Sequence, residues 1–420
     1  MKRMLLKILP ILIIIITLSS IQQWASITLS SIYISLFIKF FIIYIALKYK
    51  IVIKNKIHNY IPYIDIKIIY LYLIWFAFNT LRGIFIADNY WEYKQMMFGV
   101  QSLSLPVLVY IFSNPIIVKN VLNYWFKYAI IIFICLIPFI SNDIYHFYLG
   151  PIFLIGCFLP ILPNKWKYIS LILLLIMLTT TYGARSQVIK SAIVLLIATG
   201  LYLSKYIPIA ILKITNLICY IAPIIFLYLG ITGTFNIFKG LDPDNEGIIT
   251  ETKVNGVVVN ENIAADTRTF IYEEVISSAI NNNYVIWGRT PARGNDSKTF
   301  GAQNAEELKT GKYERYKNEV CHPNIFTWLG LIGVILYSLI YIRSSYLAIY
   351  KSNNIYIKFL GCFIAFRWAY GWVEDINSFD IANITLWMMI AMGISIQFRT
   401  MNDDMFKTYI KSLLSMKQMP

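Results

Sequence analysis

The stretch DTRTFIYEEVISSAI (residues 266–280) begins a polar segment that closes with NEVCHPNIFTWLGLIG (residues 318–333), where the chain becomes apolar again. Asp266 is of a residue type that caps helix N-termini, and this places Arg268 in the first turn. The helix that follows is predicted to carry an apolar stripe of Ile271, Val275 and Ala279, with Ile276 and Ile280 alongside. Because helix N-termini attract anions and arginine is a bidentate donor, the segment predicts an anion-binding loop.

The composition places this polar segment in a membrane protein. Of the 420 residues 58% are hydrophobic and only 14% are charged, whereas about 25% of the residues in soluble proteins are charged. Apolar runs such as LFIKFFIIYIAL and YISLILLLIML are of the kind that spans a bilayer. The net charge of +15 does not indicate nucleic-acid binding, because the lysines lie in short segments between apolar runs.

The apolar runs predict an all-α polytopic membrane protein of about 12 transmembrane helices with one large outer loop. The predicted spans are roughly 5–21, 27–47, 66–87, 96–113, 124–140, 147–163, 168–182, 188–204, 207–230, 323–342, 355–373 and 381–398. This divides the chain into helices 1–9 (residues 1–230), the loop (231–322), helices 10–12 (323–398) and a tail (399–420).

The links between the predicted spans differ in charge on the two sides of the membrane. One side carries the basic residues Lys2, Arg3, Lys7, Lys48, Lys50, Lys54, Lys56, Lys119, Lys165, Lys167, Lys205, Arg343, Lys351, Lys407, Lys411 and Lys417. By the positive-inside rule that side is cytoplasmic, so we expect both termini in the cytoplasm and the loop outside. The loop holds 13 of the 22 acidic residues but only 10 of the 37 basic ones, and its β-prone run at 256–259 predicts a hairpin or a disordered flap.

Six arginines lie at the outer ends of predicted spans or in the outer loop: Arg82, Arg185, Arg268, Arg289, Arg293 and Arg367. Arginine at the centre of a membrane helix costs about 2.5–3.5 kcal/mol, so an anion or a carboxylate must offset it. Convergent arginines at one leaflet suit a lipid-linked phosphate or pyrophosphate. For Arg367 the alternative is a structural ion pair with Glu374, because the two residues share one helix face. For Arg82 and Arg185 the alternative is that their long side chains extend to the membrane–water interface.

One histidine stands where the loop re-enters the membrane. His322 can act as a base near neutral pH, although a hydrogen bond at the start of the helix explains it as well. Glu273, Glu274 and Glu319 are the other candidate bases. No metal-ligand spacing is present, since only one of the five cysteines lies in a polar loop, and we expect no metal and no cofactor.

Three motifs together resemble the O-antigen polymerase and O-antigen ligase superfamily, bacterial inner-membrane glycosyltransferases that use undecaprenyl-pyrophosphate-linked glycans. The first is a threonine-rich span end that runs into an arginine, TTTYGARS (179–186). The second comprises TRTFIYEE (267–274) and WGRTPARG (287–294) in the large loop, and the third is the re-entry HPNIFTWLGLIG (322–333). Arg185, Arg268, Arg289 and His322 fall on the motif positions.

The resemblance implies a C-type (GT-C) glycosyltransferase fold that works without metal at the periplasmic face of the bacterial inner membrane. The implied function is an O-antigen polymerase, which transfers undecaprenyl-pyrophosphate-linked glycan chains onto lipid-linked repeat units. In that function His322 and Arg268 are the expected catalytic residues, and the other five arginines are expected to bind pyrophosphate or glycan. The expected partners are the lipid-linked oligosaccharides, the bilayer and a chain-length regulator protein, but no nucleic acid.

Two other functions fit the same sequence pattern. An O-antigen ligase has the same architecture but uses the lipid A core as acceptor. A polysaccharide flippase also commonly has about twelve spans, yet it is expected to hold charges near the midplane of its helix bundle. Here the arginines favour one end of the spans, which argues against the flippase. The polymerase and the ligase differ only in the acceptor, and general likeness favours the polymerase.

Overall fold

The computed structural model describes residues 2–29, 31–179, 185–232, 234, 249–254, 257–262 and 268–414. Within these ranges the chain is almost entirely helical, and its strands form two short antiparallel pairs. The predicted all-α class is therefore confirmed. The pairs are β1 (Ile249–Val254) with β2 (Val257–Asn262), and β3 (Asn295–Asp296) with β4 (Glu314–Arg315). Residues 257–259 of the run that was predicted to form a hairpin or a disordered flap lie in β2, and residue 256 lies outside the described residues.

The helices of the described residues follow one another along the chain with short links, except in the loop. The helices before the loop are α1 (Lys2–Ser19), α2 (Ile32–Val52), α3 (Tyr63–Ile86), α4 (Tyr90–Leu103), α5 (Val109–Phe112), α6 (Pro115–Tyr124), α7 (Ile130–Leu136), α8 (Tyr145–Tyr148), α9 (Gly150–Gly156), α10 (Asn164–Thr179), α11 (Arg185–Tyr202) and α12 (Ile209–Ile231). The loop and the segment after it contain α13 (Thr269–Asn281), α14 (Gly301–Glu307), α15 (Cys321–Tyr350), α16 (Ile355–Tyr370), α17 (Ile381–Ile394), α18 (Ile396–Thr400) and α19 (Asp403–Leu414).

Seven helical segments of the described residues are long and apolar enough to cross a membrane, in agreement with a multi-pass membrane protein. They are Leu5–Trp24, Ile32–Val52, Tyr63–Ile86, Tyr90–Phe112, Pro115–Phe139, Ile209–Ile231 and Cys321–Tyr350. The other five predicted spans fall on α9, α10, α11, α16 and α17, which are shorter or more polar. Twelve crossings, the cytoplasmic termini and the inner membrane stay predictions.

The bundle is organised around α17, which packs against α15, α16, α9 and α5 and is buried along nearly its whole length. At the other extreme, α12 buries only Leu212 and Asn216 and packs against α16 and α15. Because α12 is strongly apolar yet exposed on most of its surface, it has the character of a lipid-facing helix at the rim.

The predicted tail, residues 399–420, is described as far as residue 414, and this part is folded against the bundle. Its helix α19 is amphipathic and packs on α6 with Phe406, Ile410 and Leu413 buried. Tyr409 donates a hydrogen bond to the Pro115 carbonyl over 2.9 Å. The described part of the tail therefore belongs to the bundle.

The predicted amphipathic helix of the loop is α13. Its stripe of Ile271, Val275 and Ala279 is buried as expected, whereas Ile280 is 61% exposed. The helix begins at Thr269, directly after Arg268, and the predicted cap Asp266 lies outside the described residues. The stripe packs against Val320 and Phe326, and this contact fixes α13 beside the start of α15.

Candidate functional site

The helix that re-enters the bundle after the loop, α15, is interrupted at Gly330. The backbone there has φ 67° and ψ −171°, a conformation that is essentially restricted to glycine. Backbone groups next to the break form hydrogen bonds with other segments of the chain. The Leu329 carbonyl accepts from the Trp75 indole N–H over 2.8 Å, and the Leu331 N–H donates to the Val285 carbonyl over 2.9 Å. Irregular backbone inside a membrane bundle must be satisfied in this way.

The WGRT segment (residues 287–290) supplies the backbone that packs into this break. Gly288 has φ 75°, and a Cβ on it would lie 2.5 Å from the Gly330 nitrogen. Arg289 N–H donates to the Thr327 carbonyl over 2.7 Å. The glycine of the motif is thus explained by a close backbone approach, which the sequence alone did not indicate.

The two arginines of the WGRTPARG motif are held by carboxylates of the loop itself. Arg289 contacts Asp296 at 2.7 Å and Glu314 at 3.2 Å. Arg293 donates from Nε to Glu314 over 2.9 Å and forms a second, shorter contact through Nη2. Because the Glu314 side chain is only 4% exposed, an anion that replaced it would leave a buried carboxylate unpaired. Arg289 and Arg293 therefore stabilise the loop in this structure.

Arg82 and Arg185 have no carboxylate partner among the described residues. Arg82, near the end of α3, donates to Asn79 Oδ1 over 2.7 Å and to the Trp287 carbonyl over 3.2 Å. Arg185 is the first residue of α11 and is partly exposed. The remainder of its motif, residues 180–184, lies outside the described residues.

Arg367 belongs to a buried cluster with two cations and one carboxylate. Arg367 Nη1 lies 2.9 Å from Glu374 Oε2, and Lys190 Nζ lies 2.6 Å from Glu374 Oε1. The Ser186 hydroxyl also donates to Glu374 Oε1. The ion pair between Arg367 and Glu374, predicted as an alternative from their spacing, is therefore present.

The cluster also contains a residue that the sequence analysis missed. Lys190 lies inside the predicted span 188–204, and an ionisable residue in a span is itself a signal for a buried partner. Burial alone raises the pKa of Glu374, but the positive charges of Lys190 and Arg367 outweigh it and hold that pKa well below its usual range. Glu374 is thus ionised at neutral pH and bridges α11 to α16.

Arg268 lies directly before α13 and joins the loop to the segment after α16. Its Nη1 lies 2.6 Å from Glu319 Oε2, and its Nε donates to the Val373 carbonyl over 3.3 Å. Glu319 is 60% exposed, so this ion pair is close to solvent. The Tyr272 hydroxyl donates to the Trp372 carbonyl over 2.5 Å, a second link between α13 and the same segment.

A cavity of about 440 Å³ lies between α12, α13 and the end of α16, within the range of about 300–1,000 Å³ that is usual for small-molecule sites. It adjoins the end of α12 that leads into the loop. The α12 wall is apolar, the α13 wall is partly polar, and the α16 side ends in an indole. Its lining includes Phe226, Leu227, Thr269, Glu273, Ser277 and Trp372.

His322 does not line this cavity. It is 1% exposed, and its ring lies 4.4 Å, centroid to centroid, from that of Trp372, which does line the cavity. His322 Nε2 lies 3.0 Å from the Trp368 carbonyl; a carbonyl can only accept, so Nε2 carries the proton. The lone pair is therefore on Nδ1, which has no hydrogen-bond partner among the described residues.

The comparisons with known proteins found no similarity. No family model, no curated protein and no solved structure matches the chain. The class that the fold defines is a helical membrane protein, and the resemblance to the O-antigen polymerase and ligase superfamily rests on the motifs alone.

Proposed function

We propose that this chain is a polysaccharide polymerase, which moves a glycan chain from undecaprenyl pyrophosphate onto a lipid-linked repeat unit at the outer face of the bacterial inner membrane. The observation that carries the proposal is the cavity between α12, α13 and α16, with Arg268 next to its Thr269 side. An apolar chamber at a lipid-facing helix suits a polyprenyl tail, and a guanidinium beside it suits the pyrophosphate.

The chemistry needs a stabilised leaving group. When the anomeric carbon separates from the carrier, negative charge develops on the pyrophosphate, and positioned donors lower the barrier by binding that charge. Arginine does this with two parallel N–H donors. No nucleotide is part of the proposed reaction, so a phosphate-binding glycine loop is not needed.

The ion-pair partners divide the six arginines into two groups. The first group contacts largely buried carboxylates and therefore mainly stabilises the fold; it comprises Arg289, Arg293 and Arg367. Arg268 pairs with an exposed carboxylate, and such exposed pairs contribute only about 0–1 kcal/mol, so a pyrophosphate can displace Glu319. Arg268 is therefore the main pyrophosphate ligand in this proposal, with Arg82 and Arg185 as further donors.

Replacing Arg268 with alanine tests this assignment. A charge-assisted contact contributes about 1.5–3 kcal/mol, so we expect chain growth to fall by about one to two decades. Arg268→Lys keeps the positive charge but loses the two parallel N–H donors of the guanidinium group, and this variant should retain part of the activity. The measurement is the length and amount of polysaccharide at matched levels of inserted protein.

Lys298→Ala is the matched control, because it removes one exposed positive charge from the same loop. We expect this variant to behave as the wild type. Polysaccharide of normal length and amount from inserted Arg268→Ala protein would contradict the role of Arg268.

A further inference from the structure

The face of α13 that lines the cavity carries a polar stripe. Thr269, Glu273 and Ser277 follow at i, i+4 and i+8, so they lie above one another on the helix surface. The α12 wall contributes the apolar Phe226 and Leu227. The cavity is thus apolar on one side and offers hydroxyl and carboxylate groups on the other.

Glu273 is the uncommitted carboxylate of this region. Its side chain is exposed and has no hydrogen-bond or ion-pair partner among the described residues. Glu274, one residue later, accepts from the backbone N–H groups of Lys298 and Thr299 over 2.8 and 2.9 Å. Glu319 pairs with Arg268 and does not line the cavity. Of the three carboxylates considered from the sequence, Glu273 alone lines the cavity and can accept a new donor without losing an existing one.

Trp372 gives the same cavity an aromatic wall. Its indole N–H is buried and has no hydrogen-bond partner among the described residues. Its backbone carbonyl is fixed by the Tyr272 hydroxyl. An indole face, side-chain hydroxyls and a carboxylate together are the chemistry that binds a sugar, since the ring stacks on C–H groups and the polar atoms bind hydroxyls.

We infer that the Thr269–Glu273–Ser277 stripe and Trp372 form the acceptor-sugar subsite and that Glu273 is the general base. This inference rests on the proposed function. The acceptor hydroxyl oxygen forms a bond to the anomeric carbon of the donor, and its proton passes to the Glu273 carboxylate. The bond between the anomeric carbon and the pyrophosphate oxygen breaks, and the electron pair leaves with the undecaprenyl pyrophosphate. Glu273 then releases the proton to water.

Charge and burial both favour this assignment. A carboxylate repels pyrophosphate, so Glu273 suits the neutral sugar rather than the donor's phosphates. A general base must come within hydrogen-bond reach of the proton that it takes. His322 is covered by Trp372, and its Nε2–H is bonded to the Trp368 carbonyl, so it holds the indole in place instead.

The test uses the purified full-length protein with lipid-linked repeat units. Glu273→Gln removes the base but keeps the shape, and we expect chain growth to fall by about 10²- to 10⁴-fold, as is usual for loss of general base catalysis. Binding of undecaprenyl pyrophosphate should stay close to that of the wild type, because the carrier is assigned to Arg268 and the apolar α12 wall and not to Glu273. Glu306→Gln, an exposed glutamate on α14 outside the cavity, is the matched control and should be fully active.

The outcomes separate this inference from the proposed function. If the wild type itself does not extend repeat units, the proposed function fails and takes the inference with it. If the wild type extends them and Glu273→Gln does so at a similar rate, the inference alone is overturned. Loss of both chain growth and undecaprenyl pyrophosphate binding in Glu273→Gln, or loss of growth in His322→Gln with Glu273→Gln active, also overturns it.

Discussion

Gly330→Ala is expected to remove most of the folded protein from the membrane. The φ of 67° and ψ of −171° already make a side chain strained by about 1–3 kcal/mol. In addition, a Cβ would lie 2.5 Å from the Gly288 nitrogen and closer still to the Ile286 carbonyl oxygen. These are backbone atoms that cannot move without breaking the packing of the WGRT segment against α15. The measurement is the amount of monodisperse protein after solubilisation.

Gly311→Ala is the matched control for backbone strain. Gly311 has a similar φ of 69°, but a Cβ on it would meet no atom of the described part of the chain within 4 Å. Gly311→Ala therefore introduces backbone strain from the positive φ but no steric overlap of the new Cβ, and it should still yield folded protein. Equal yields from Gly330→Ala and the wild type would contradict the interrupted helix.

Glu374→Gln should destabilise the bundle strongly. It leaves Lys190 and Arg367, whose side chains are 4% and 6% exposed, without their counter-charge. Removing one partner from a buried ion pair typically costs about 3–5 kcal/mol. We expect a clear fall in the thermal unfolding temperature of the detergent-solubilised protein at neutral pH.

The exposed pair of Lys407 and Asp404 supplies the control, since an exposed ion pair contributes little and Asp404→Asn should leave the unfolding temperature close to that of the wild type. The pH dependence is a further check. Because the folded state lowers the pKa of Glu374, its stabilisation is present above the ordinary value of 4.5 and is lost as the pH falls toward the depressed value. The difference between wild type and Glu374→Gln should therefore be smaller at strongly acidic pH than at neutral pH. Equal stability of the two proteins at pH 7 would refute the role of the cluster.

Local patterns in the sequence carried the predictions that proved correct. The period of Ile271, Val275 and Ala279 predicted the buried stripe of α13, because an amphipathic helix needs only its own residues to show its face. The spacing of Arg367 and Glu374 likewise indicated their ion pair. Both follow from helix geometry without knowledge of the rest of the fold.

Features that depend on distant segments could not be predicted in this way. Glu314 lies 21 residues from Arg293, and nothing local marks it as the partner of two arginines. The break at Gly330 was hidden in a run of small and apolar residues, because glycine is also common in regular membrane helices. Lys190 meets Glu374 across 184 residues, so only the packing of α11 against α16 brings them together.

The sequence located the candidate site at α13, but it did not show which of the candidate side chains line the cavity. His322 stood out as the histidine at the re-entry point, whereas its ring lies behind Trp372. Glu273 was one of three candidate carboxylates, and the partners of Glu274 and Glu319 distinguish it from them. Ranking of this kind needs contacts between elements, which a single sequence does not contain.

The proposed polymerase activity is tested most directly by reconstitution. The purified chain is placed in liposomes with a synthetic undecaprenyl-pyrophosphate-linked repeat unit, and the products are separated by length while released undecaprenyl pyrophosphate is counted. The proposal predicts a ladder of products that differ by one repeat unit, with one carrier released for every bond formed. Repeat units that remain unextended in the presence of folded protein, or that cross the bilayer unchanged, would contradict it.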